Sequence, residues 1–303
     1  MREVVPAALA GERVDRVVAM LTGLARADVA RLVEGGAVRV DGRPVATRSR
    51  RLSEGEELEV DVPDPTGPAR LAPDPGVALA VVYADEQVVV VDKAPGVVVH
   101  PGAGQAEGTL VQGLLARYPD LAGVGEPARP GIVHRLDKGT SGLLVVARTS
   151  EALRSLTRQL AARAVDRRYL ALVQGTVEAP AGLVDAPVGR ASSDPTRMSV
   201  SARGRPARTR YEVRRRFTAP AEATLLECAL ETGRTHQVRV HLAAIGHPVL
   251  GDARYGGAGA ARLSPRPFLH AFRLAFEHPA TGERVTFSSD LSADLQAVLD
   301  RFS

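Results

Sequence analysis

The sequence predicts an α+β protein: a small α/β module at the N-terminus, then a large domain built on a mixed, largely antiparallel central sheet. Three observations carry this. The chain has 303 residues, 45% of them hydrophobic, which suits about two packed cores and argues against wholesale disorder. The stretch PDPTGPARLAPDPG, residues 63–76, is rich in proline and glycine and reads as a stiff linker. Beyond it, strand-like runs come in clusters with helices interspersed, which argues for a mixed, largely antiparallel sheet.

Residues 1–62 read as one compact unit. Val14, Val17, Val18 and Leu21 recur at helical spacing, and a second short helix carries Val29, Leu32 and Val33 before a stop at Gly35-Gly36. AVRVDGRPV then gives two short strands around the hairpin turn Asp41-Gly42, and GEELEVDV alternates like another strand. Arginines outnumber acids up to Arg51, and a run of acids, Glu54 to Asp61, follows. Arg13 and Arg16 are expected to share a helix face, with Arg26, Arg31, Arg48, Arg50 and Arg51 adding to a basic side. Such segregation suits a phosphate-facing patch about as well as an ordinary solvated surface.

Residues 77–303 read as one domain. VVYADEQVVVVDK, GLLVVAR, RRYLALVQG, TRYEVRRRF, TLLECALE and RVTFSS are strand-like. LVQGLLARY, EALRSLTRQLAARAV and THQVRVHLAAI are helical. Ser150 is the expected cap of the second helix. Thr235 is the expected cap of the third, whose apolar face would be Val238, Leu242 and Ile245.

Composition excludes several function classes. No apolar run approaches the length of a membrane span, and no signal-length segment opens the chain, so a cytoplasmic protein is expected. The single cysteine, Cys228, cannot form an internal disulfide or a thiolate metal cluster. The net charge is only +4, but the basic residues are almost all arginine, Lys93 and Lys138 being the exceptions. A codon-biased genome accounts for much of that, and it still leaves guanidinium forks suited to phosphate.

Three segments could carry chemistry. In GIVHRLDKGTSGLLVVA, residues 131–147, a polar loop feeds an apolar strand. There Asp137 lies between Arg135 and Lys138, so its carboxylate is expected to stay ionised and to suit a nucleophile; by physics alone a surface salt-bridge cluster fits equally well. In DRRYLALVQG, Tyr169 is either a core tyrosine or a platform for stacking on an extruded base. In ETGRTHQVRVHLAAIGHPVLGDARYG, His236 and Arg239 lie three apart on a helix. His236, His241 and His247 are spaced five and six apart, which does not put metal ligands on one helix face, so no metal is expected. Gly102, Gly104 and Gly108 resemble a dinucleotide loop, but the spacing is GxGxxxG and the expected ribose-binding acid is missing.

The first unit resembles the S4 RNA-binding domain, through RVDRVVAML, the helix before Glu34-Gly35-Gly36, and VRVDGRPV. His134-Arg135-Leu136-Asp137 with Thr140-Ser141-Gly142-Leu143 resembles the motif of the large-subunit rRNA pseudouridine synthases of the RluA/RluD family. VVVDKAPGVVVHPG, GRPARTRYEV and FLHAFRLAFEHPATGE extend the likeness over nearly all of residues 83–287. Where that family has an acid after the lysine, this chain has Gly139, and only a small effect is expected.

The resemblance implies a pseudouridine synthase fold and isomerisation of uridine to pseudouridine in RNA, most plainly 23S rRNA. Asp137 would be the nucleophile and Arg239 the arginine paired with it. Tyr169 would stack on uracil, and Arg135 would fill the place left by the flipped base. It also implies no cofactor, because the product is an isomer, and a monomer acting on RNA away from any membrane.

Overall fold

The computed structural model describes residues 1–24, 26–61, 71–102, 105–192, 194 and 196–303. They fall into two compact units, Met1–Ala69 and Arg70–Ser303. The first part of the proline-rich stretch at 63–76, residues 63–70, lies outside the described residues, as does the side chain of Arg26.

In the first unit the chain runs β1 (Arg2–Val4), α1 (Val14–Thr22), α2 (Arg26–Glu34), β2 (Val38–Val40), β3 (Arg43–Pro44) and β4 (Glu57–Val60). The strands form an antiparallel sheet in the order β1-β4-β2-β3. Asp41 and Gly42 both take positive φ, 49° and 73°, as a two-residue hairpin with right-handed strand twist requires. The alternation read from the sequence sets the core. Val38, Val40, Leu58 and Val60 turn inward to meet Val14, Val17 and Val18 of α1 and Val29 and Val33 of α2. Strand β1 carries no internal signal; its exposed side chains gain their place from pairing with β4.

The second unit runs β5 (Ala80–Ala84), β6 (Val88–Lys93), α3 (Leu110–Arg117), β7 (Ser141–Ala147), α4 (Ser150–Ala161), β8 (Asp166–Gln174), β9 (Ala181–Asp185), β10 (Val188–Arg190), β11 (Met198–Val200), β12 (Arg208–Phe217), β13 (Ala223–Leu230), α5 (Gln237–Ala244), α6 (Gly257–Ala261), β14 (Leu269–Glu277), β15 (Arg284–Ser288) and α7 (Ala293–Leu299). Nine strands make one sheet in the order β5-β6-β7-β14-β8-β13-β12-β9, with β15 also on β14; β10 and β11 form a separate ribbon. Within the large sheet β7 and β14 are parallel and the other pairs antiparallel, so the expected mixed, largely antiparallel sheet is present.

β7 is buried along its whole length because both faces of the sheet are covered. Leu143, Val145 and Ala147 pack with Ala152 and Leu156 of α4 on one face. Leu144 and Val146 share the other with Leu110 and Leu114 of α3, Leu242 of α5 and Leu295 of α7. Burying each of these valines and leucines contributes about 1.5–3 kcal/mol. Gly142 sits where β7 meets β14: its φ is 111°, and a Cβ there would lie 2.3 Å from the Ala271 carbonyl oxygen.

Several expectations are corrected. Thr149, not Ser150, caps α4: its hydroxyl accepts from the Ala152 N–H at 3.0 Å. The residue capping α5 is His236, in the left-handed conformation (φ 57°), not Thr235. That helix is buried almost all round, while Ile245, expected on its apolar face, is exposed. The sequence pattern does not mark β9, β10, β11 and β14 as strands. β14 is a central strand with a register shift between Ala271 and Arg273, so neither alternation nor an unbroken apolar run marks it. No helix among the described residues is long and apolar enough to cross a membrane.

Candidate active site

The loop 131–140 delivers Asp137 to the face of the sheet that carries α3 and α5. Leu136, 3% exposed, is anchored in the core, and the Thr140 N–H donates to the Asp137 carbonyl at 3.0 Å. The Gly96 N–H donates to the Lys138 carbonyl at 2.7 Å. Arg266 donates to the Gly139 carbonyl at 2.8 Å and the Ser141 hydroxyl at 3.1 Å, while Asp294 on α7 holds the same guanidinium at 2.6 Å. Beneath the loop lies Lys93, 1% exposed, whose Nζ donates to the carbonyls of Ala94 and Val97 at 2.8 and 2.9 Å. Burial lowers the Lys93 pKa to about 7, opposed by the nearby Asp137 charge.

The cation that meets Asp137 is not a sequence neighbour. Arg135 and Lys138 are exposed. Arg239 Nη1, from α5, donates to Asp137 Oδ2 at 3.1 Å, and His236 Nε2 lies 4.0 Å from Oδ1. The sequence reading missed what holds Arg239. Asp252, 1% exposed, takes its Nε at 2.6 Å and its Nη2 at 2.9 Å. Burial opposes charge on Arg239, but the Asp252 hydrogen bonds and the two carboxylates outweigh it and raise its pKa. Asp252 is pinned in turn. The Leu250 N–H donates to Leu172 of β8 at 2.9 Å, and a Cβ on Gly251 would lie 1.8 Å from the Arg266 carbonyl oxygen. The Tyr255 ring lies 5.0 Å from the Arg239 guanidinium, and its hydroxyl lies 2.8 Å from His236 Nδ1. The GDARYG string was the available signal for Asp252 and Tyr255, but nothing local says which cation they face.

Asp137, Tyr169, His134, Arg167, His236 and Arg239 line one cavity. The structure therefore brings together the three residues expected to act, with Arg135 also in the lining. Tyr169 is 5% exposed, and burial pushes its phenol up to about 12, so it is neutral and carries a proton near pH 7. Burial, then the charge of Arg167, brings His134 down to about 3. The pocket thus offers a held carboxylate and, in Tyr169, a protonated phenol with an aromatic face, which suit nucleophilic chemistry on a substrate that carries a flat ring.

The three histidines weighed as metal ligands do not converge. His241 bonds Thr209 and Ala186, His247 bonds the Gln174 carbonyl, and His236 faces Tyr255. Among the described residues no group of three or more His, Cys, Asp or Glu could hold a metal ion. Of the glycine-rich loop, Ala103 and Gly104 lie outside the described residues.

The first unit arranges its arginines differently from expectation. Arg13 caps α1 instead of sharing its face with Arg16, and bonds Asp15 at 3.0 and 2.7 Å. Arg16 pairs with Glu12 at 3.0 Å, Arg31 pairs with Asp28, and Arg50 pairs with Glu56 at 3.0 Å. Arg51 donates to the Gly11 carbonyl at 2.6 Å, and Arg48 is exposed. The basic side is thus partly neutralised in space, because Glu12, Asp15 and Asp28 pair with nearby arginines and Glu56 of the acidic run pairs with Arg50.

Comparisons with known proteins agree with this geometry. A family model described as RNA pseudouridylate synthase matches residues 87–244, and the S4 domain model matches 12–58. A protein of Nitrosomonas europaea named ribosomal large subunit pseudouridine synthase D is 44% identical over 303 residues, covering 97% of this chain and 86% of its own. An uncharacterized RNA pseudouridine synthase of Bacillus subtilis is 42% identical over 95% of this chain and 93% of its own. Among solved structures, human RNA pseudouridylate synthase domain containing 1 is 30% identical, with a TM-score of 0.59 over 75% of this chain and 89% of that one. With the family model spanning half the chain and such relatives spanning nearly all of it, the chain belongs to the RNA pseudouridylate synthase family, is an RNA pseudouridine synthase, and carries an S4 domain.

Proposed function

We propose that this protein isomerises specific uridines of 23S rRNA to pseudouridine, with Asp137 as nucleophile. The observation that carries the reading is the Asp137 carboxylate held at 3.1 Å by Arg239 in a cavity it shares with Tyr169. The rRNA substrate is supported by the large-subunit name of the Nitrosomonas relative and by the S4 domain.

The reaction breaks the N1–C1′ bond, turns the uracil and joins C5 to C1′. N1 gains a proton and C5 loses one, so atoms balance without an oxidant or group donor. Asp137 attacks the nucleotide; Arg239 keeps the carboxylate aimed. A base inside a helix is out of reach, so the uridine is flipped into the cavity, where Tyr169 stacks on it and Arg135 fills the place it leaves. Residues 1–62 serve as an RNA clamp on the linker 63–76, and 77–303 as the catalytic domain. Arg13, Arg16, Arg26, Arg31, Arg48, Arg50 and Arg51 are the clamp's candidate RNA contacts. The protein works as a cytoplasmic monomer.

Mapping pseudouridine in rRNA from cells with and without this protein tests the substrate. Loss of pseudouridine from 23S positions is the expected result. An unchanged 23S map with a loss in tRNA would overturn the rRNA assignment.

A further inference from the structure

One buried cation beside the nucleotide cavity has no part in the chemistry above. Arg167, on β8 two residues before Tyr169, is 6% exposed. It lines that cavity and also an adjoining groove. Its Nε has no hydrogen-bond partner, and Nη2 makes only a long bond of 3.4 Å to the Leu230 carbonyl. Among the described residues no carboxylate pairs with it. Arginine does not escape such a position by losing its proton, so it is a buried charge with no counter-charge.

His134 lines the same two spaces. Its Nε2 accepts from the Val145 N–H at 3.3 Å, so in the neutral ring the proton is on Nδ1, and Nδ1 has no partner either. Two unpaired donors therefore stand where cavity meets groove. Arg135 and Arg234 line both spaces as well, and Arg205 lines the groove. The carboxylate in its lining, Glu231, is already held by Arg163 at 3.0 Å and by Arg208 and Arg210, each at 2.8 Å. A cationic groove with its acid neutralised and its donors unmatched selects an anion with several oxygens. A guanidinium fork suits phosphate.

We propose that Arg167, assisted by His134, seats a backbone phosphate next to the reacting uridine, so that the cavity recognises a nucleotide within a strand and not a free base. This rests on the nucleotide reading of the cavity given above. Arg167 is thus a binding residue, reached from the groove along which the strand runs.

Binding of uridine 3′,5′-bisphosphate and of uridine to the full-length protein tests the idea without turnover. The wild-type protein is expected to prefer the bisphosphate by at least about tenfold, the scale of a charge-assisted contact. Arg167→Met should lose most of that preference while keeping its affinity for uridine. Arg167→Lys, which keeps the charge without the fork, should retain much of it. A wild-type protein that binds both ligands equally overturns the proposal whatever the variants do. So does a folded Arg167→Met that keeps the full preference. A wild-type protein that makes no pseudouridine in RNA would count against the proposed function alone, since this measurement does not depend on turnover.

Discussion

Arg239 gives its two-pronged grip to Asp252, at 2.6 and 2.9 Å, and only one nitrogen, at 3.1 Å, to Asp137. The fully buried carboxylate fixes the cation, and the cation then aims the half-buried one. The division of labour matters because a single arginine serving Asp137 alone could swing toward solvent or toward RNA. Held by Asp252, it presents Nη1 at one place.

This arrangement predicts that Asp137→Asn is catalytically dead but folded. Arg239 keeps its buried partner, so no buried charge is stranded, and the loss in stability should stay within about 1–2 kcal/mol. Single-turnover pseudouridine formation should fall on the order of 10⁴-fold or more, as when a nucleophile is removed. RNA affinity should change little. Appreciable turnover by this variant would remove Asp137 as nucleophile.

Arg239→Met should cost more than the loss of one contact, because it strands two carboxylates. Breaking a buried pair typically costs about 3–5 kcal/mol. The single-turnover rate should fall with it. Asp252→Asn should separate stability from aim: Asp137 keeps a cation, but one no longer held in place, so the rate drops while less stability is lost. Single-turnover rates equal to wild type in both variants would take the ion pair out of the mechanism.

A third prediction concerns acid. The Arg266 hydrogen bonds hold the Asp294 carboxyl down at about 2, against an ordinary 3.8. A depressed carboxyl adds stability that is complete above its unfolded value and lost as pH falls through the folded one. The Arg266–Asp294 clamp should therefore weaken between about pH 4 and pH 2, and with it the hold on Gly139 and Ser141. Denaturant melts of wild type and Asp294→Asn should differ at pH 5 and converge toward pH 2. A gap that stays constant over that range would show that the pair does not carry the dependence.

Finally, the two units have separate hydrophobic cores: Val5 to Val60 in one, residues beyond 70 in the others. Removing residues 1–62 should leave a folded domain that melts cooperatively. Its affinity for structured rRNA should fall, with a shallower salt dependence as phosphate contacts are lost, roughly 0.7–0.9 in slope per contact. Unchanged affinity and slope would show that the module is no clamp. Because Arg13, Arg16, Arg31 and Arg50 already have acidic partners, each single substitution should matter less than exposed Arg48.

The sequence by itself determined the parts whose signals are local. Helical spacing of valines, the Asp41-Gly42 turn and the alternation of β4 made the first unit legible. The apolar runs of β6, β7 and β8 placed the central strands. The HRLD loop, Tyr169 and Arg239 stood out only through the resemblance of their motifs to a known family; their local chemistry alone left a structural alternative open. Tertiary structure alone decided how these meet. Asp137 and Arg239 are 102 positions apart. Arg135 and Lys138, adjacent in sequence, face solvent instead. β14 enters between β7 and β8, an order that no single segment encodes and that its own broken pattern conceals. Asp252, Arg266, Lys93 and Arg167 acquire meaning only once the sheet is assembled. The physical reason is the same for all four: a buried charge is defined by what surrounds it in space, and the surroundings come from distant strands and loops. Local sequence sets backbone shape and which faces are apolar; sheet order sets which charges are forced together.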